Sequence, residues 1–232
     1  LAVIAISALP VLSLLLCKRA KIEQMEPLSG SGRDSGRPLG FAPNTLQCAI
    51  CFAGVGCCIA MSVPQVHIIP YVTDLNFEAR HGANMLAIML GCGVVSRVVS
   101  GMISDRIGGL NTLLLGSGLQ LVVLVLYLPF DSLAALYVLA AMFGLSQGGI
   151  VPSYTIIVRA FFKAADAGWR IGMTLFFTML GMAIGGWLAG VFYDLTGSYE
   201  IAFINAIGFN IANLAIAGIM RQRVTRTAPT AV

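Results

Sequence analysis

Hydrophobic residues fill long, almost uninterrupted stretches of this chain, and short polar segments separate them. A membrane-spanning α-helix needs about 20 such residues to cross a hydrocarbon core of about 30 Å. The pattern predicts one partial helix at the start, followed by six complete ones. Their ranges are 1–17 for the partial helix, then 45–73, 83–104, 110–129, 133–157, 171–193 and 199–220. The predicted fold class is therefore an all-α membrane protein.

Composition supports this prediction, because the chain is 58% hydrophobic and 10% charged, with a mean hydropathy of +0.89. The sequence starts inside an apolar stretch, so we expect it to be the C-terminal part of a longer protein. A cleaved signal peptide is the alternative for 1–17, but its basic residues would come before the apolar run. Here Lys18, Arg19 and Lys21 follow it, which favours the end of a transmembrane helix.

The basic residues fall mostly on one side of the predicted membrane. If the segment after Cys17 is cytoplasmic, twelve of the 14 lysines and arginines are cytoplasmic, Arg80 lies outside and Arg97 lies within a helix. This is the positive-inside pattern, so the net charge of +4 reports topology and requires no nucleic-acid partner. We expect both ends of the chain in the cytoplasm. The twelve are Lys18, Arg19, Lys21, Arg33, Arg37, Arg106, Arg159, Lys163, Arg170, Arg221, Arg223 and Arg226.

The polar segments divide the chain into predicted domains. Residues 18–44 contain a Gly-, Ser- and Pro-rich stretch with charged residues, which is typical of a flexible cytoplasmic loop. All later connections are shorter, so 45–220 should form one six-helix bundle within the lipid bilayer. Residues 221–232 are then a cytoplasmic tail.

A short motif occurs twice, as GMISDRIG at 101–108 and GVFYDLTG at 190–197. Each copy ends the second helix of a group of three, yet the two copies fall on opposite sides of the predicted membrane. An inverted repeat of three plus three helices, which many secondary transporters contain, has this arrangement. The shared positions are Gly101, Asp105 and Gly108 in the first copy, and Gly190, Asp194 and Gly197 in the second.

Arg97 is the clearest candidate for a functional residue. It precedes Asp105 by eight positions, or about 12 Å along a helix, and so lies near the membrane midplane. A charge at that depth costs about 2.5–3.5 kcal/mol on insertion scales and should face a cavity or an opposite charge. No Asp or Glu lies near the middle of the six predicted spans. The sequence thus favours binding of a carboxylate, with an internal salt bridge as the alternative.

Four further polar residues are weaker candidates for a substrate site. His67 and Tyr71 follow Pro64 in the first complete helix and share one helix face. Gln147 and Tyr154 flank a Gly-Gly pair in the fourth. For each of them, hydrogen bonding and packing within the bundle is the alternative. For Asn205, Asn210 and Asn213 in the last helix, the sequence predicts hydrogen bonds between helices.

The first motif copy, with Arg106 after Asp105, resembles the loop between helices eight and nine of the major facilitator superfamily of transporters. The second is similar to the turn that this superfamily often shows after helix eleven. The resemblance implies that 1–17 ends helix six, that 45–220 is helices seven to twelve, and that an N-terminal half is the structural partner. The superfamily often places basic residues after the second glycine, whereas Gly109 and Leu110 follow here, so the implied gating contacts are incomplete.

Within that superfamily, Arg97 in SRVVSG resembles the helix-eight arginine of the monocarboxylate-porter branch, which includes oxalate–formate antiporters. That arginine binds the substrate carboxylate in the branch. Animal monocarboxylate carriers have an aspartate one turn earlier, where Gly93 stands here, so proton coupling through such a pair is not implied. The oxalate exchanger has a lysine in helix eleven, and 171–193 contains none, which favours a monocarboxylate.

The sequence therefore predicts secondary active transport of a small organic monocarboxylate by alternating access in the cytoplasmic membrane, through proton symport or exchange. One alternative is a carrier of another organic anion or a drug, and another is a receptor or scaffold with the same fold. The sequence has no phosphate loop or nucleophile triad. Cys48 and Cys51 have the spacing of a metal or redox pair, but no second pair or nearby histidine completes a site. We therefore predict no enzymatic activity, cofactor or metal site.

Overall fold

The computed structural model describes residues 40–227, which form seven α-helices and no strand within that range. The predicted partial helix at 1–17, most of the predicted loop and residues 228–232 lie outside it. In chain order the helices are α1 (Pro43–Asp74), α2 (Ala79–Ile107), α3 (Gly109–Leu126), α4 (Leu133–Gln147), α5 (Ile150–Phe161), α6 (Ala164–Thr196) and α7 (Glu200–Thr227).

Six spans in this range are long and apolar enough to cross a membrane, which confirms the predicted all-α class. Helices α4 and α5 together make up the fourth span, Leu133–Phe161. We predicted one continuous helix there, but Gly148 and Gly149 interrupt it. Glycine weakens a helix interior, and Pro152 is tolerated in the first turn of α5, where its missing N–H has no helical partner.

Several helices continue beyond the apolar stretches that predicted them. Helix α6 begins at Ala164, before the apolar run from Ile171, and α7 continues to Thr227, beyond the predicted end at Met220. The added turns contain Arg, Gln and Ala, which favour helix without adding much hydrophobicity. Hydrophobicity therefore marks the part of each helix that suits the lipid core, while the helix itself continues into the polar interface.

Helix α1 is the central helix of the bundle. It packs against α2, α6 and α7. Of the most apolar 18-residue stretch of each helix, 78% of the residues are buried in α1, compared with 17% in α2 and 22% in α6. The contact with α6 is close at Gly181, where an added Cβ would lie 2.6 Å from the Val55 carbonyl oxygen. Small residues at such spacing allow membrane helices to pack backbone against backbone.

A buried hydrogen-bond network joins α3, α5 and α7 inside the bundle. The Tyr154 hydroxyl donates to Asn213 Oδ1 at 2.8 Å. Asn213 Nδ2 donates to Ser117 Oγ at 2.9 Å, and Asn210 Nδ2 donates to the Ser117 carbonyl at 3.1 Å. The predicted interhelical role of Asn210 and Asn213 is confirmed. Such bonds add to helix association in a membrane, where the hydrophobic effect does not drive it.

The two motif copies occupy equivalent places at the ends of α2 and α6. Each helix stops at a glycine with positive φ, 82° at Gly108 and 68° at Gly197. In each case the glycine N–H bonds the last turn, to the Ser104 and Tyr193 carbonyls at 2.8 and 2.7 Å. The final glycine of the repeated motif is therefore a helix-terminating residue in both copies.

Candidate functional site

Arg97 lies on α2, ten residues before the end of the helix at Ile107 and thus about 15 Å from it. The side chain is exposed among apolar neighbours, including Val94 and Val98. Within residues 40–227 no side chain forms a hydrogen bond or an ion pair with its guanidinium. The charge therefore stands on an apolar helix face without a partner from the described part of the chain.

The adjoining face of α2, which contains Gly93 and Ser96, packs tightly against the interruption between α4 and α5. A Cβ at Gly148 would lie 2.6 Å from the Gly93 carbonyl oxygen and 2.7 Å from the Arg97 backbone nitrogen. At the residue before Arg97, Ser96 Oγ donates to the Leu145 carbonyl at 2.5 Å. The backbone of Arg97 is thus held directly against the break in the fourth span.

Two glutamines meet beside this contact. Gln65 Nε2 of α1 donates to Gln147 Oε1 at the end of α4, and a Cβ at Gly93 would lie 3.5 Å from Gln147 Nε2. Gln147 also precedes Gly148, which touches the Arg97 backbone. The structure therefore brings Arg97, Gln147 and Gln65 into one neighbourhood where α1, α2 and α4 meet.

Gln65 was not among the predicted site residues. The sequence offered one signal for it, a polar side chain next to Pro64 in a helix that is mostly apolar. That signal could not identify its partner, because the partner depends on which helices become neighbours.

His67 and Tyr71 lie elsewhere, in an aromatic cluster that α1 forms with α7 and with Tyr127. His67 Nε2 lies 2.8 Å from the Gly186 carbonyl, which can only accept, so Nε2 carries the proton. Its Nδ1 then accepts from Tyr199, 3.4 Å away. Tyr71 packs edge-on against Tyr199 at 5.8 Å between ring centroids, and its hydroxyl donates to the Tyr127 carbonyl at 3.4 Å.

The predicted shared face of His67 and Tyr71 is confirmed by their common contact with Tyr199. Tyr154 lies in a third place, 1% exposed inside the bundle with its hydroxyl on Asn213. None of these three contacts Arg97 in the described residues. Burial raises the pKa of Tyr199, which lies between two spans.

The charged residues of the two motif copies are exposed. Asp105 and Arg106 end α2 without an ion pair to any residue in the range 40–227. Asp194 is exposed at the corresponding place in α6. Gly101 faces open space, with no atom within 4 Å of an added Cβ, whereas Gly190 would place a Cβ 3.8 Å from His67 Cε1.

Comparison with known proteins assigns the chain to a family. Residues 36–231 match the family model described as Major Facilitator Superfamily. The chain is 25% identical over 170 residues to monocarboxylate transporter 13 of Bos taurus, which covers 72% of this chain and 40% of the relative. It is 25% identical over 163 residues to the MFS-type transporter opdF of Penicillium oxalicum, covering 68% and 38%.

The riboflavin transporter MCH5 of Saccharomyces cerevisiae is also similar, 25% identical over 163 residues, which covers 64% of this chain and 31% of the relative. The chain spans well under half the length of the curated relatives that it matches. The match extends over most of the chain, from before α1 to beyond the end of α7. The chain belongs to the major facilitator superfamily and resembles its monocarboxylate branch.

Proposed function

We propose that this chain is the C-terminal half of a transporter that moves a small organic monocarboxylate by alternating access, with Arg97 as the substrate ligand. The observation that carries the proposal is the guanidinium of Arg97, which stands on an apolar helix face with no anionic partner among residues 40–227. A permanent charge in such a place is stabilised by an anion or by a water-filled cavity.

A carboxylate suits Arg97 because the planar guanidinium donates two parallel hydrogen bonds to its two oxygens. One cation balances one negative charge, and 171–193 contains no lysine for a second. This favours a monocarboxylate. The names of the monocarboxylate relatives agree with this choice, while the similarity to a riboflavin transporter keeps other organic anions and drugs as the alternative. A receptor or scaffold with this fold is the other rival.

The neighbouring glutamines supply the polar wall of the proposed site. Gln147 and Gln65 can donate to or accept from polar groups on the substrate without adding charge. In this proposal His67 and Tyr71 border the route from the outer end, and Tyr154 keeps α5 in place through Asn213. At the place of the aspartate in animal carriers, Gly93 packs beside Gln147. Exchange, or a proton carried elsewhere, therefore fits better than an Arg–Asp proton pair.

We place the protein in the cytoplasmic membrane with both ends of this chain inside. Arg106, Arg159 and Lys163 lie at one set of helix ends, and Arg80 lies at the other. In this arrangement the two motif copies face opposite sides. The rocking of an N-terminal half against this bundle would then expose Arg97 to each side in turn.

The decisive experiment measures uptake by the transporter in which this chain is joined to its N-terminal half. Labelled mono- and dicarboxylates are offered to proteoliposomes that carry the wild type, Arg97→Gln, Arg97→Lys or Arg80→Gln. We expect one monocarboxylate class to enter, and kcat/KM to fall about 10- to 100-fold in Arg97→Gln, because a charged hydrogen-bond pair is lost. Arg97→Lys should retain part of the activity.

Arg80→Gln is the matched control, because it removes one charge from the same helix at an exposed ion pair with Glu78. It should transport like the wild type. Monodisperse elution of each variant in detergent shows that it is folded. Uptake that does not change in Arg97→Gln, or no uptake of any acid by the folded wild type, would remove Arg97 from the role of substrate ligand.

A further inference from the structure

A second arginine, Arg170 near the start of α6, is buried with its guanidinium against two aromatic rings. Its side chain is only 5% exposed. The guanidinium carbon lies 4.2 Å from the ring centroid of Phe162 and 4.4 Å from that of Trp169. Contact with aromatic faces stabilises a cation but does not satisfy its N–H groups.

Two of the three guanidinium nitrogens lack a hydrogen-bond partner in the described part of the chain. Arg170 Nε and Nη1 are buried and have no hydrogen-bond partner there. Asp166, one turn earlier on α6, forms no ion pair with Arg170. Gln47 approaches from α1, but its Nε2 donates to the Arg170 carbonyl at 3.2 Å and to Thr174 at 3.0 Å.

Leaving donors of a buried charge unmet is costly, since such bonds are among the strongest that a protein forms. An anionic acceptor suits them best, because a bond between two opposite charges is the strongest, and it has to reach the end of α6. Asp166 is the acidic residue closest to Arg170 in the sequence, but it forms no ion pair with it. The bundle therefore provides the cation and the aromatic surfaces of an anion site, but not the anion.

The surroundings of Arg170 identify the kind of anion. Arg170 directly precedes the apolar run from Ile171, so it lies at the membrane–water boundary. Trp169 is 51% exposed, and Lys163 is exposed at the start of the same helix. Exposed tryptophan and basic residues at a helix end are typical of the headgroup region, and basic pockets at helix ends on the cytoplasmic side bind anionic lipid headgroups.

We propose that Arg170 binds the phosphate group of an anionic phospholipid in the cytoplasmic leaflet, with Trp169 packing beside the headgroup. The planar guanidinium matches a phosphate in a two-pronged geometry. The proposal does not involve Arg97 or the transported substrate, and it holds whichever acid is carried.

Native mass spectrometry of the detergent-solubilised protein tests this. The protein is mixed with equal amounts of phosphatidylglycerol and phosphatidylcholine, and retained lipid is measured for the wild type, Arg170→Gln and Arg221→Gln. The wild type should retain phosphatidylglycerol preferentially, and Arg170→Gln should lose about 10- to 100-fold of that affinity. Arg221→Gln removes the same charge from an exposed position on α7 and should bind like the wild type. An equal effect of both substitutions, or of neither, overturns the proposal.

A second measurement does not depend on the folding of Arg170→Gln. The chain has two tryptophans, so Trp187→Phe, at a 67% exposed position, leaves Trp169 as its sole indole. Brominated phosphatidylglycerol should quench Trp169 fluorescence more strongly than brominated phosphatidylcholine. Equal quenching by both would contradict a site for the anionic headgroup.

Competition with glycerol 3-phosphate distinguishes a lipid headgroup from a soluble phosphate. If the site takes the lipid, millimolar glycerol 3-phosphate should leave the preferential quenching unchanged. If glycerol 3-phosphate at a concentration equal to that of phosphatidylglycerol removes the preferential quenching, the anion is a free phosphate compound. The lipid part of the proposal is then wrong.

Discussion

Single atoms determine how closely α2 approaches the interrupted fourth span. At Gly148, the hydrogen in place of a side chain lets the Gly93 carbonyl and the Arg97 backbone nitrogen come within van der Waals distance. Arg97 is therefore positioned through its backbone, while its guanidinium points to open surface. The backbone of Arg97 is thus held in place while its guanidinium is not, as the proposed role of substrate ligand requires.

We expect Gly148→Ala to lower the free energy of unfolding by about 1–3 kcal/mol, because the new methyl group would overlap α2. An added Cβ would lie 2.6 Å from both the Gly93 oxygen and Ser96 Cβ. Gly118→Ala is the matched control, since no atom lies within 4 Å of that position. It should leave stability unchanged or raise it by about 0.5–1 kcal/mol. Titration with dodecyl sulfate in detergent micelles measures both. Equal stability of the two variants would refute the close contact.

At the scale of helices, the repeated motif serves to end α2 and α6 in the same manner. The final glycine of each copy adopts a left-handed or related positive φ that other residues avoid. Gly108 has the further task of joining α2 directly to α3, which begins at the next residue. The motif therefore sets the angle at which two spans leave one membrane surface.

Gly108→Ala should destabilise the bundle by about 1–2 kcal/mol, since an L residue at a φ of 82° is strained. Gly101→Ala, within the same motif but in a helix with open space beside it, should be neutral or slightly stabilising. Thermal unfolding in detergent distinguishes the two. A Gly108→Ala protein as stable as the wild type would show that this turn tolerates a side chain.

The helices followed from the sequence because a lipid-spanning segment needs a long apolar run, and little else forms one. The break at Gly148 did not follow, since a Gly-Gly pair is compatible with both a bend and a continuous helix. Arg97 was recognisable because the free-energy cost of a charge in the membrane depends on its depth, which the sequence reveals. The Gln65–Gln147 bond and the burial of Arg170 depend on which helices meet, and the local sequence does not contain that information.

For the whole molecule, the arrangement of charges implies a fixed orientation in the membrane. Arg80 lies in the first turn of α2, whereas Arg106 lies at the other end of α2. Many more basic residues lie on the membrane side of Arg106 than on the side of Arg80, so we expect insertion to leave Arg106 in the cytoplasm.

Single cysteines at these two positions test the orientation, in a background with the six natural cysteines replaced. A membrane-impermeant maleimide added to intact cells should label Arg80→Cys. It should label Arg106→Cys only after the membrane is permeabilised. Labelling of Arg106→Cys in intact cells would reverse the proposed topology and the cytoplasmic placement of Arg170.

The interruption at Gly148 and Gly149 also has an electrostatic consequence. It starts a new helix, α5, within the fourth span instead of at the membrane surface. A helix N-terminus carries about half a positive elementary charge from its aligned peptide dipoles. Because Gly148 touches the Arg97 backbone, this partial charge lies next to α2. Helix α4 ends at the same interruption, at Gln147, and its C-terminus carries the opposite partial charge. The two helix ends therefore nearly cancel, and the positive potential in this part of the bundle comes from the guanidinium of Arg97.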